Sequence, residues 1–310
     1  MRKVLADGLV KEYRYPRDGK KPAVARISAA SIDALVIDYR NSPEFERLAP
    51  HTKRLRLIRL RPLDDVGFRP VEQMRRREAI HIRDAVYRAS GPAAANAFVS
   101  AARIVFEWGI SRDRLENNPF DKIKALPGGA LAAWTEEQAS LALSKFPEHL
   151  RRVVVLAIYT GQRRGDLVAL RWSQIAGGTL HITQQKGGMN VTMPMHPALA
   201  TEMEAWRAEE ARHHNNSSPF ILLNKRRKPW KAATLTCAIK RALTNIGVSG
   251  LSIHGLRKLS ANRLAEAGCT THEIASITGH KSLGMVQHYT DKAERRRLAV
   301  TAVSRLKAIG

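Results

Sequence analysis

Residues 150–167, LRRVVVLAIYTGQRRGDL, decide how this chain is to be read. Leu150–Thr160 is an apolar segment of helical length, and Gly161 stops it, because glycine takes the left-handed conformation that closes a helix C-terminus. Arg163, Arg164 and Asp166 stand directly after the stop, so a fold signal and candidate chemistry share one stretch.

Downstream, Thr179–Gln184 and Val191–Met195 flank Lys186-Gly187-Gly188 and read as two strands of a hairpin. Helices follow at about 197–213, 231–246, 254–267 and 272–278. A tail helix is expected over about 292–309, with Leu298, Val303 and Leu306 on one apolar stripe that suits either the chain's own core or a neighbouring copy. Upstream, Thr135 and Gln138 form a capping box at the start of a helix. Residues 126–130, containing Leu126-Pro127-Gly128-Gly129, read as an interdomain linker. Before it, residues 28–125 read as a helical domain. One helix is capped by Ser31 and runs through Tyr39, a second spans about 51–61, a third about 70–89, and a fourth follows the Ser90-Gly91-Pro92 break through Ile110. Residues 1–27 are basic and turn-rich around Arg17–Pro22, an arm or a small hairpin. The expected architecture is therefore two domains: 28–125 all-α with four helices, and 131–310 mixed α/β, mainly helical, with a small antiparallel hairpin or sheet.

The chain has 310 residues, of which 44% are hydrophobic, enough for two cores. Its 52 Lys+Arg against 28 Asp+Glu give a net charge of +24. A surplus of that size repels itself unless a polyanion neutralises it, which makes nucleic acid the default partner. Both halves share it: 26 basic against 16 acidic residues in 1–127, and 26 against 12 in 128–310. No apolar run is long enough to span a membrane, and Met1–Val10 lacks the apolar core of a secretory signal. Cys237 and Cys269 supply no disulfide framework and read as small core residues in a cytoplasmic protein. In the second helix, Lys53, Arg54, Arg56 and Arg59 alternate with leucines and could line a DNA backbone or simply a solvated face.

Four short segments stand out together: Thr160-Gly161-Gln162-Arg163-Arg164-Gly165-Asp166, Lys186 in its turn, His254-Gly255-Leu256-Arg257, and Gly279-His280 with Tyr289 nine positions on. In this order and at these separations they resemble the tyrosine recombinases of the phage integrase family, strongly over about 130–292 and more loosely over about 45–125. The resemblance implies a SAM-like core-binding domain ahead of a catalytic domain, the two closing around duplex DNA. It implies catalytic roles for Arg163, Lys186, His254, Arg257, His280 and the nucleophile Tyr289, with Asp166 supporting the site. It also implies strand exchange at specific sites through a tetramer on DNA, integrating or excising a mobile element or prophage, with accessory bending or directionality factors as further partners. The protein would be cytoplasmic, nucleoid-associated when bound, and would need no cofactor or metal.

The residue types suit that chemistry. Phosphodiester cleavage builds charge on two non-bridging oxygens, and arginine forks neutralise such charge from fixed directions. His254 and Arg257, three apart, share a helix face that Ser252 would cap. A phenol with a reference pKa near 10 needs a base or a positive field, for which His254 is the candidate. His280 would donate a hydrogen bond to the phosphate, and Lys186 would protonate the departing 5′ oxygen.

Each segment alone has an ordinary structural explanation, and their ordered coincidence in a basic chain carries the reading. Metal binding fits poorly: His272-Glu273 lacks the second histidine of a zincin helix, Ser276 standing in its place; His213 and His214 are adjacent; and no Cys-x-x-Cys occurs. Two other classes stay open: a catalytically inactive DNA-binding regulator on the same scaffold, and a topoisomerase using the same chemistry on one strand.

Overall fold

The computed structural model describes residues 2–4, 9–12, 25–26, 28–128, 132–212 and 218–305. The chain divides into two compact units, Met1–Gly128 and Gly129–Gly310.

The first unit opens with an antiparallel sheet of β1 (Arg2–Val4), β2 (Leu9–Glu12) and β3 (Ala25–Arg26), with Leu9 opposite Arg26. The segment Arg17–Pro22 lies outside the described residues. Four helices follow: α1 (Ile32–Arg40), α2 (Pro43–Glu46), α3 (Pro50–Leu60) and α4 (Arg76–Ile110). Ser31 caps α1, its Oγ accepting from the Ala34 amide at 3.1 Å. The break expected at Ser90-Gly91-Pro92 is a kink inside α4, where Gly91 has φ 80° and ψ 177°. Proline disfavours a helical conformation at the residue before it, and glycine absorbs the excursion. The helix also starts later than expected, because Val71–Gln73 forms only a 3-10 turn. Ile32, Leu35, Phe98, Val105, Phe106 and Phe120 build the core of this unit.

The second unit contains α5 (Glu136–Lys145), α6 (Glu148–Thr160), α7 (Arg164–Ala169), β4 (Ile175–Ala176), β5 (Thr179–Thr183), β6 (Asn190–Pro194), α8 (Pro197–Ala211), α9 (Ala232–Asn245), α10 (Ile253–Glu266), α11 (Thr271–Thr278) and α12 (Gly284–Ser304). Thr135 and Gln138 cap α5 reciprocally. In α6, Val153 to Ile158 are all buried, and Gly161 ends the helix at φ 60°. The sheet runs β4-β5-β6, antiparallel, with Leu180 opposite Met193 and Ile182 opposite Val191 on its buried face. Its short third strand, β4, pairs Ile175 with Leu180.

Three expectations need correction. Cys237 is exposed rather than in the core, because Leu235, Ile239 and Leu243 form the buried face of α9 and residue 237 lies about 200° from residue 235. Cys269 is half-buried against the cluster of Ala261, Ala265 and Ile274. The tail is not a separate helix from 292: it continues α12, which already contains Tyr289. Leu298, Val300 and Val303 on this helix are 61–67% exposed, so they do not pack on the unit's own core. Leu306, His213 and His214 lie outside the described residues. Among the described residues no helix is long and apolar enough to cross a membrane, and no cluster of His, Cys, Asp or Glu could hold a metal.

Candidate active site

The site is assembled at the C-terminal end of α11. The last carbonyls of a helix lack intrahelical donors and carry a partial negative charge. Here they receive the side chains of three other elements. The Arg257 Nη1 donates to the Thr278 carbonyl at 2.6 Å and to the Gly161 carbonyl at 2.9 Å. The Arg163 Nη2 donates to the Gly279 carbonyl at 3.2 Å, and its Nη1 donates to Gln184 Oε1. Gln184 Nε2 donates to the Thr278 carbonyl at 2.8 Å and to Gln162 Oε1 at 2.7 Å, and Gln162 Nε2 donates to the Ile277 carbonyl at 2.8 Å. One helix end thus orients two guanidinium groups.

Two glycines permit this approach. A Cβ on Gly161 would lie 2.9 Å from Thr278 Cγ2, and one on Gly279, at φ 70°, would lie 2.2 Å from Gln184 Nε2. Both positions have positive φ, so side chains are excluded on two grounds.

Arg257 is 2% exposed, and its Nη2 is buried with no hydrogen-bond partner. A buried donor without an acceptor is costly, more so on a charged group. Burial and the nearby Arg163 charge push the Arg257 pKa down to about 10. The site therefore combines two neighbouring guanidiniums with a donor that has no acceptor among the described residues. Asp166, buried in the first turn of α7, opposes that charge and accepts from the Gln185 amide at 2.8 Å through Oδ1. It thereby fixes the turn between β5 and β6.

Lys186 lies on that turn, exposed, with no partner among the described residues. A second lysine, Lys281, adjoins the same turn: a Cβ on Gly187 would meet its Cε at 2.6 Å.

His254 is the second residue of α10. The expected Ser252 cap does not form: Ser252 occupies the cap position, but its Oγ is buried without a partner, and its carbonyl accepts from Trp134 Nε1 at 2.8 Å and the Gly255 amide at 2.9 Å. The His254 residue is open to solvent on one side. Even so, desolvation by the surrounding walls, then Arg257, Lys258 and Arg163, hold its pKa below the ordinary value. This favours the neutral imidazole. His280 is half-buried and lowered further, to about 4, by burial first and then by Arg257, Arg163, His254 and His288. Its Nδ1 lies 2.7 Å from Thr278 Oγ1, whose single proton is donated to the Ile274 carbonyl at 2.6 Å. The hydroxyl must accept, so the bonding pattern assigns the proton to Nδ1 and leaves Nε2 an acceptor.

Tyr289 projects from α12, half-buried against the Ala261/Ile274/Val286 cluster, with the His288 ring centroid 3.7 Å away. Burial raises its pKa, and Arg257 is close enough to counteract this in part. Arg163, Asp166, Arg257, His254, His280 and Tyr289 are thus linked by bonds or mutual electrostatic influence, and Lys186 joins through its turn. Gln162, Gln184, Thr278 and Lys281 are the additions. Lys53, Arg54, Arg56 and Arg59 lie on α3 of the first unit. There Arg56 donates to the Tyr39 hydroxyl at 3.0 Å and Lys53 Nζ lies 6.0 Å from the Phe45 ring centre, while Arg54 and Arg59 are exposed.

Comparison with known proteins gives a consistent result. The profile of the phage integrase family matches residues 133–296. The integrase of Escherichia phage lambda is 32% identical over 161 residues, covering 50% of this chain and 44% of that protein. The integrase of Escherichia phage HK022 is 26% identical over 262 residues, covering 80% and 71%. The chain thus spans less than half of the lambda protein in sequence. Among solved structures, a lambda integrase dimer bound to a COC' core site superposes with TM-score 0.71 at 21% identity, covering 100% of this chain and 97% of that one. The Tn1549 transposon integrase in complex with transposon right end DNA gives 0.71 at 16% identity, covering 87% and 99%. These likenesses establish the fold, mostly helical with a three-stranded antiparallel sheet in the second unit. With a profile match spanning more than half of its length and the motifs in register, the chain belongs to the phage integrase family of tyrosine recombinases.

Proposed function

We propose that the protein is a site-specific DNA recombinase that cleaves and rejoins duplex DNA through a 3′-phosphotyrosine at Tyr289. The observation that carries this reading is the buried, unpartnered Nη2 of Arg257, set beside Arg163 and within electrostatic reach of the Tyr289 hydroxyl.

In this reading the scissile phosphate enters the pocket and accepts from Arg163 and Arg257. Its negative charge relieves the repulsion between the two guanidiniums. The Tyr289 oxygen forms a bond to phosphorus as the bond from phosphorus to the 5′ oxygen breaks. The phenolic proton passes to His254, whose neutral imidazole is a competent base at pH 7. Lys186 protonates the departing 5′ oxygen. His280 takes up a proton at Nε2 when the phosphate arrives and then donates to it. Asp166 holds the lysine turn. Reversal, with a 5′-hydroxyl as nucleophile, reseals the strand, and no ATP or metal enters the scheme.

The first unit serves as the core-binding domain, with Arg54 and Arg59 on the DNA backbone and Lys53 and Arg56 nearer the fold. The partners are duplex DNA, further copies in a tetramer on DNA, and accessory bending or directionality factors. The lambda relative has been solved as a tetramer bound to a Holliday junction, which supports that assembly. The exposed Leu298, Val300 and Val303 suit docking on a neighbouring copy. The element moved is a prophage or transposon, and the protein works in the cytoplasm on the nucleoid.

A suicide duplex nicked near the crossover tests the proposal. Wild-type protein is expected to form a denaturation-resistant DNA adduct, and Tyr289→Phe to bind the same duplex without forming one. An adduct that persists in Tyr289→Phe would sink the assignment. A two-site recombination assay beside a plasmid relaxation assay separates strand exchange from topoisomerase action.

A further inference from the structure

The second unit carries a further concave site that shares no residue with the one above. It is a cavity of about 550 Å³ between the α5–α6 junction, the loop 224–230 and one face of α9. Phe146, Leu150 and Ile246 contribute apolar wall, and the rings of Trp230 and His149 are stacked at 6.1 Å and 22°. Lys145, Lys225, Arg226 and Arg241 line it, and no acidic side chain does.

Two observations point to an occupant. Trp230 Nε1 is buried without a hydrogen-bond partner, a donor that a ligand oxygen would satisfy after a small turn of the indole. The turn that presents Lys225 and Arg226 is also fixed in an uncommon conformation. Asn224 Oδ1 accepts from the amides of Arg226 at 2.8 Å and Lys228 at 3.2 Å, and Arg227 has φ 54°. A left-handed arginine is costly, and here it is held by a 2.7 Å bond from Nη2 to the buried carboxylate of Glu210. The two cations at the rim are therefore displayed by a built turn.

We propose that this cavity binds an organic anion of mononucleotide type, a flat ring with an attached phosphate. The ring lies against the Trp230 and His149 wall, and the phosphate meets Lys225, Arg226 and Arg241. The volume is that of a small-molecule site, and aromatic wall plus unopposed cations matches ring plus phosphate. An inorganic anion would leave the apolar wall unused, and an uncharged ring would leave the cations unused.

The test uses adenosine 5′-monophosphate as probe on the full chain, followed by the Trp230 indole N–H resonance, assigned from its loss in Trp230→Phe. Saturable shifts of that resonance are expected, with adenosine and inorganic phosphate each binding at least about tenfold more weakly. Lys225→Gln with Arg226→Gln, both exposed and so harmless to folding, is expected to weaken the nucleotide at least about tenfold, with Arg241→Gln as an independent check. Equal binding of phosphate alone, unchanged affinity in these variants, or a response only to an acidic peptide would each overturn the proposal. None of these readouts depends on recombination, so the site stands or falls separately from the recombinase reading.

Discussion

Replacing Gln184 by alanine isolates the contribution of the polar lattice beneath the two arginines. Gln184 is 1% exposed and its side chain makes three hydrogen bonds: it accepts from Arg163 Nη1 and donates to Gln162 Oε1 and the Thr278 carbonyl. Removing the side chain leaves Thr278 with its bond from Arg257, but strips buried Gln162 Oε1 and half-buried Arg163 Nη1 of their partners. A buried polar group left unsatisfied costs roughly 1–3 kcal/mol, so two of them, one partly open to water, come to about 3 kcal/mol. For a unit the size of Gly129–Gly310 that is on the order of 10 °C in melting temperature. Arg163 keeps only its bond to the Gly279 carbonyl and is free to swing about it, so covalent capture on the suicide duplex should fall by at least about a hundredfold, more than partial unfolding explains at 20 °C. Gln184→Glu keeps the acceptor for Arg163 but sets a second carboxylate oxygen against Gln162 Oε1 and the Thr278 carbonyl, which both accept from Nε2, so it should melt at least as low as Gln184→Ala, with negative charge beside the two guanidiniums, and capture should still fail. A Gln184→Ala protein with unchanged melting and unchanged capture would refute the claim that this lattice aims the guanidinium.

Gly161→Ala should destabilise the protein by about 2 kcal/mol in a denaturant titration, since a Cβ there lies 2.9 Å from Thr278 Cγ2 on a residue held at φ 60°; a loss below about 0.5 kcal/mol would mean the close approach is slack. His280 gives stability and DNA binding opposite pH dependences. Its pKa of about 4 lies below the ordinary 6.5, so the unfolded chain takes up the proton first, and stability should fall as pH drops from 6.5 towards 4, with His280→Gln removing that part of the loss. Phosphate engagement raises the same pKa, so DNA binding at pH 6 should take up protons and tighten as pH falls, measured by calorimetry in buffers of different ionisation enthalpy; zero proton uptake would contradict the assignment of the free lone pair to Nε2.

What was legible in the sequence is what local physics signals. The stop at Gly161, the capping box at Thr135 and the cap at Ser31 are short-range patterns, and each stands in the structure. The candidate residues were legible because their order and spacing form a pattern, and the structure links them around one helix end. The lattice beneath them was not. Glutamine is common on surfaces, and the backbone carbonyls of Ile277, Thr278 and Gly279 have no sequence signature at all. One clue was available for Gln184: Leu180 and Ile182 alternate inward along β5, and the same period puts residue 184 on the buried side. A polar residue in an inward register needs partners, and finding Gln162 and Arg163 there is the answer. Ser252 misled for the opposite reason, since a cap signature shows only that a side chain could turn back on its helix, and here the Trp134 indole holds the local backbone instead.

Helix α12 carries Tyr289 near its start and the solvent-facing Leu298, Val300 and Val303 towards its end. Fourteen residues at 1.5 Å each make a rod of about 21 Å between Tyr289 and Val303. Pivoting such a rod by about 5° at its distal end displaces the ring by about 2 Å, the difference between a phenol in line with phosphorus and one out of reach. Ala293, buried against α10, and Arg297, bonded to the Ala265 carbonyl, hold the middle of this rod, so under the proposed reading a load on the exposed end would reach the Tyr289 ring only as a tilt about that anchorage.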